Sequence, residues 1–169
     1  MTTNTHITAS CLIAALAIKT GLGPGEKLLA VALASLASHF IIDLIPHGFI
    51  AHPNTIFKKF IPTFFELAPA LVIMLFAMAA FGSPLLFLWA VGFSIIPDVV
   101  TILIWKGNDR VAKVPGLSLI HSLHREVHWF ETENPDGTVT YLFPNRPMLA
   151  LEALLILCLL LVLFIPLKP

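Results

Sequence analysis

Residues 84–105 read PLLFLWAVGFSIIPDVVTILIW, and Asp98 is the one charged side chain among them. A helix that spans a bilayer needs about 20 predominantly apolar residues. This stretch satisfies that length, and Pro84 suits a first helical turn. Pro97 removes a backbone donor and kinks the helix. Carbonyls freed at membrane depth are tolerated where they line a polar cavity. A carboxylate in hydrocarbon is costly, so Asp98 needs a partner or a task. The stretch therefore predicts a membrane helix bent toward a polar centre.

Four further apolar stretches flank it, over roughly 6–20, 28–45, 60–82 and 147–165. Turn chemistry separates them: Gly21-Leu22-Gly23-Pro24-Gly25, then Pro46-His47-Gly48, then Gly82-Ser83-Pro84. The stretch Asn134-Pro135-Asp136-Gly137 reads as the turn of a small hairpin reaching Tyr141 and Phe143. Of the 169 residues, 57% are hydrophobic and 12% charged, against about a quarter charged in soluble domains. The mean hydropathy of +0.90 agrees. The expected fold is all-α, a polytopic helical bundle of five transmembrane helices plus one amphipathic interfacial helix over Leu117–Phe130. It forms one integral membrane domain, 1–169. Cys11 and Cys158 show no pairing pattern and read as small packing residues. Net charge is zero with no basic stripe, which argues against a nucleic-acid partner. Met1–Ser10 holds no Lys or Arg, so the positive region of a signal peptide is missing.

Loop cations set the orientation. With the N-terminus inside, the inner loops carry Lys58, Lys59, Lys106, Arg110, Lys113, Arg125 and Arg146, and the outside keeps Lys19, Lys27 and Lys168. That bias predicts N-in, C-out. On the same map His6, His39, Asp43, Glu66, Asp98, His121 and His128 all fall near the inner face, with Glu152 at the inner start of the last helix. His plus carboxylate is the ligand chemistry of zinc, manganese or iron.

The sharpest motif is Ser38-His39-Phe40-Ile41-Ile42-Asp43-Leu44-Ile45-Pro46-His47. His39 and Asp43 are four apart and share one helix face. They can bind one metal, or the Asp can orient the His; the plainer reading is a hydrogen-bonded pair that pins two helices. His6 follows the N-capping residues Asn4 and Thr5, where the helix dipole favours a neutral imidazole. His121, His124 and His128 lie at i, i+3 and i+7 on one face of an amphipathic segment, with Trp129 as an interfacial anchor. His121 and His128 are taken as ligands there. His124, Arg125 and His47 are placed against substrate, since Arg suits an anionic phosphate.

The early His, the His-xxx-Asp-xx-Pro-His helix end, the Ile96-Pro97-Asp98 step and the later His cluster resemble a family of small prokaryotic inner-membrane proteins described as membrane-bound metal-dependent hydrolases. That family is distantly similar to zinc-dependent phospholipase C enzymes. The resemblance runs from His6 to about His128 and implies His6, His39, Asp43, Asp98, His121 and His128 as metal ligands. It departs from the family pattern in the last cluster, where many members carry a His-Arg-Gly-xx-His-Ser motif.

The expected activity is metal-dependent hydrolysis at the cytoplasmic face of an inner membrane, with zinc first and manganese or iron as alternatives. Asp98 holds or bridges the metal, and Glu66 is the candidate general base. The expected substrate is a phosphoester, a phospholipid or a lipid-linked molecule, with the bilayer as partner. Two rivals stand beside it. One is a divalent-metal or proton transporter, which needs polar groups reaching both faces. The other is a non-catalytic scaffold with a structural metal or polar core.

Overall fold

The computed structural model describes residues 3–45, 56–105, 107–129, 131–133, 139–141 and 145–164. Helix α1 spans Thr3–Ile18, α2 Pro24–Asp43, α3 Ile56–Phe81, α4 Pro84–Trp105, α5 Asp109–Ala112, α6 Pro115–Val127 and α7 Asn145–Phe164. A two-stranded antiparallel hairpin, β1 Glu131–Glu133 with β2 Val139–Tyr141, sits between α6 and α7 and pairs Thr132 with Thr140. The bundle is thus helical apart from this hairpin. Its strands flank the Asn134–Gly137 turn; that turn and Phe143 lie outside the described residues.

Local chemistry sets the helix ends. Pro24 opens α2, and Glu26 reaches back to accept from the Gly23 N–H at 2.8 Å, half of a capping box. Gly82 ends α3 at φ +67°, its N–H donating to the Met78 carbonyl at 3.0 Å. This left-handed cap suits glycine, and Pro84 starts α4 two residues on.

α1 is the central helix and packs against α2, α3, α4 and α7. Its small side chains Ala9, Ser10, Cys11, Ala14, Ala15 and Ala17 are buried, which lets neighbouring backbones approach closely. Its buried hydroxyls bond back within the helix, Thr8 Oγ1 to the Asn4 carbonyl and Ser10 Oγ to the His6 carbonyl, both at 2.7 Å. Phe87, Val31 and Met74 fill the apolar end of the core.

The exterior is apolar. Leu29, Leu33 and Ile41 of α2, Val72, Leu75 and Phe76 of α3, Leu85 and Leu88 of α4, and Leu154, Leu157 and Leu161 of α7 are all exposed. Two helices, Pro24–Asp43 and Pro84–Ile104, are long and apolar enough to cross a membrane. Within α1, α3 and α7 the described apolar lengths are shorter: Asn4–Ile18, Ala68–Phe81 and Ala150–Leu163.

Candidate metal centre

The polar groups gather at one end of the bundle. His6 comes from the first turns of α1, His39 and Asp43 from the last turns of α2, Asp98 from the C-terminal half of α4, and His124 and His128 from the end of α6. The 3.6-residue period stacks His39 over Asp43 on α2 and His124 over His128 at the end of α6. Pro97, fully buried inside α4, precedes Asp98.

Asp43 is the hub. Its Oδ1 lies 3.1 Å from His6 Nε2, and its Oδ2 lies 3.0 Å from His39 Nε2, 3.3 Å from His128 Nε2 and 3.4 Å from His124 Nε2. Asp98 Oδ1 adds contacts of 3.1 Å to His124 Nε2 and 3.8 Å to His39 Nε2. His6 and His39 stack with ring centroids 4.2 Å apart, and the Nε2 atoms of His124 and His128 approach to 3.2 Å. Asp43, His6 and His39 are buried, whereas the Asp98 side chain is 40% exposed.

Four imidazoles thus turn the same ring nitrogen toward two carboxylates. His39 Nε2 makes no hydrogen bond within the described residues despite its 3.0 Å approach to Asp43. Its nitrogen is close to the carboxylate but wrongly aimed for a proton between them, as expected when both atoms face a shared third point. Three donor sets, His6-His39-Asp43, His39-Asp98-His124 and Asp43-His124-His128, each fall within 4.8 Å. Ligands bound at about 2.0–2.2 Å sit roughly 3–4 Å from one another. Charge points the same way. Burial of the Asp43 carboxylate demands compensation, and a divalent cation beside it would supply that charge while leaving every imidazole neutral. The donor chemistry fits zinc, manganese or iron.

Among the sequence-predicted ligands, His6, His39, Asp43, Asp98 and His128 come together. His121 does not reach the carboxylates: its Nδ1 meets Thr101 Oγ1 at 3.2 Å. His124, expected against substrate, stands in the cluster instead and is buried. The three histidines share one stripe, so spacing alone did not rank them; the seating of α6 on α4 does. Arg125 is exposed on α6, and the backbone of Glu66 is in α3. His47 and the Glu66 side chain lie outside the described residues.

Sequence reasoning offers Thr101 only as a hydrogen-bond partner for Asp98, and does not place it against the histidines. It sits one turn beyond Asp98 on α4, and its Oγ1 lies 3.0 Å from His124 Nδ1. The i,i+3 spacing from Asp98 was the available signal. Glu152 is buried, and its Oε1 accepts from Thr5 Oγ1 at 2.8 Å, tying α7 to α1 beside His6. Asn4 Oδ1 accepts from the Ala70 N–H at 3.1 Å, just after Pro69, joining α1 to α3.

No protein-family model matches the chain, and no curated protein or solved structure does either.

On α6, two histidines diverge. Burial acts to lower the His124 pKa, but hydrogen bonds to Asp43 and Asp98 outweigh it and raise the value. His121 is shifted down, by partial burial first and then by Arg125 and His124 nearby.

Proposed function

We propose that the chain is a membrane-embedded, metal-dependent hydrolase that acts on a phosphoester of a lipid or lipid-linked substrate at the cytoplasmic interface. What carries the proposal is the convergence of four Nε2 atoms on Asp43 and Asp98, one carboxylate buried and the other 40% exposed. A structural zinc site is closed by four ligands, whereas a catalytic one keeps an open position. Six side chains exceed a closed set, and the Asp98 side faces outward.

In this reading α1, α2, α3, α4 and α7 span the membrane, N-in and C-out, and α6 lies in the inner interface. The exposed leucines of α6, Leu119 and Leu123, face the lipid. A divalent ion, zinc first, takes its ligands from His6, His39, Asp43, Asp98, His124 and His128, which group in three overlapping donor sets of three. Such an ion supplies Lewis-acid polarisation of a phosphoryl oxygen and a nucleophile at neutral pH. Asp98 borders the approach to the centre, Arg125 and His47 hold the anionic headgroup, and Glu66 takes up the proton. The resemblance to small inner-membrane metal-dependent hydrolases rests on these same motif residues.

A transporter is less well supported. The buried polar side chains are Thr5, His6, Thr8 and Ser10 on α1, Ser35, His39 and Asp43 on α2, Ser94 and Thr101 on α4, His124 on α6 and Glu152 on α7. Each lies toward one end of the bundle or near its middle, so the described residues offer no polar path to the other face.

The test begins with metal analysis by mass spectrometry of protein purified without a His-tag, beside a His39→Ala/Asp43→Ala variant. Stoichiometric metal lost in the variant supports the centre. No metal in either protein after reloading overturns the hydrolase reading. Loaded protein assayed on anionic phospholipids and finding no turnover counts against the phosphoester.

A further inference from the structure

Four side chains on two helices form a lattice beside the centre. Asp98 and Thr101 lie one turn apart on α4, and His121 and His124 one turn apart on α6. The same face of α4 grips both edges of the His124 ring, with Asp98 Oδ1 3.1 Å from Nε2 and Thr101 Oγ1 3.0 Å from Nδ1. Thr101 is 5% exposed, and its hydroxyl also stands 3.2 Å from His121 Nδ1.

Proton counting gives these contacts a direction. A ring nitrogen that ligates a metal carries no proton, and in a neutral imidazole the proton then sits on the other nitrogen. For His124 to ligate through Nε2, Nδ1 must be the N–H, and Thr101 Oγ1 is the acceptor in reach. Thr101 has one proton of its own, and His121 Nδ1 offers a lone pair for it if that ring is neutral. Partial burial and the nearby Arg125 favour the neutral ring. The chain of donation runs from His124 to Thr101 to His121, with His124 donating, Thr101 accepting once and donating once, and His121 accepting.

We propose that Thr101, backed by His121, is a positioning residue that locks His124 in the Nδ1–H tautomer and so prepares its Nε2 for the metal. This rests on the metal reading above. It also gives His121 a place: it is the terminus of the chain of hydrogen bonds and leaves the ligand set to His124 and His128. Outer partners of this kind typically change metal affinity by about 10–100-fold.

The experiment measures affinity for zinc alone, by competition with a chromophoric chelator, in detergent-solubilised full-length protein. Thr101→Val keeps the branched shape and removes the hydroxyl; Thr101→Ser keeps the hydroxyl. The expected result is a loss of about 10–100-fold in Thr101→Val, near-complete recovery in Thr101→Ser, and a smaller loss in His121→Phe. Nitrogen-15 spectra of histidine-labelled, zinc-loaded protein should show a protonated Nδ1 on His124 in the wild type. Wild-type affinity in Thr101→Val, or equal loss in the Ser and Val variants, overturns the proposal and leaves the metal centre standing. Absence of zinc binding in the wild type overturns both.

Discussion

Asp43 touches four imidazoles with two oxygens, and its replacement is the most informative single change. Asp43→Asn keeps the shape and removes the charge. Its metal affinity should fall by more than the roughly 10–100-fold that an outer partner brings, measured by chelator competition; unchanged affinity would show that Asp43 is no ligand. On α6, His128→Ala should weaken binding far more than His121→Ala, because His128 Nε2 is 3.3 Å from Asp43 whereas His121 stops at Thr101. His124 also sets a pH dependence. Without metal its raised pKa contributes stability that is fully present below its ordinary value of 6.5 and fades as pH rises through the higher folded value. With metal the ring must be deprotonated, so stabilisation grows with pH. The difference in melting temperature between zinc-loaded and chelated protein should therefore widen from pH 5.5 to pH 8. A constant difference would mean that no proton is displaced. Most of these residues were legible in the chain. His39 and Asp43 announce themselves by four-residue spacing in an apolar helix, and Asp98 by its cost there. The rank of His121 against His124 was not, because both lie on one stripe and only the contact with Thr101 separates them.

At the scale of elements, α6 is held differently from the rest. Leu119 and Leu123 are exposed, so α6 buries little apolar surface against the bundle. Its ties are polar: His124 and His128 to the carboxylates, Thr101 to two imidazoles, and Trp129 Nε1 donating to the Leu44 carbonyl at 3.2 Å. Elements with few buried apolar contacts open most readily. Chelation should speed amide exchange across Pro115–Val127 and leave α1 unchanged; equal protection with and without metal would show that the ion does not clamp α6. Periodicity predicted α6 as an amphipathic helix and the main helices within a few residues. The four-residue α5 carries too short a pattern to be read that way, and nothing in the pattern marks the short apolar stretch of α1 as the central helix. Its central place follows from its small buried side chains, whose meaning emerges only once four neighbours pack against them.

Across the whole molecule, the apolar exterior and the one-ended polar core argue together. Exposed apolar patches beyond a few hundred Å² are unusual on soluble monomers. The protein should resist extraction by alkaline carbonate and dissolve only in detergent. Topology can be read with single cysteines after Cys11 and Cys158 are replaced. Gly21 and Gly116 are exposed, and neither has an atom within 4 Å of an added Cβ. Gly21→Cys should react with an impermeant maleimide in intact cells, and Gly116→Cys only after lysis. The opposite pattern would invert the proposed orientation.

The donors are scattered along the chain, with His6 at its start and His128 late, beyond the fourth long helix. During biosynthesis the first donor leaves the ribosome long before its last partner. On the proposed membrane reading, the early helices would enter the bilayer carrying a carboxylate that lacks its full retinue. On the proposed metal reading, the full donor set would be complete only once α6 has been translated and has docked. A nascent chain arrested before Pro115 should be inserted yet unable to retain zinc, so loading would report the completion of assembly.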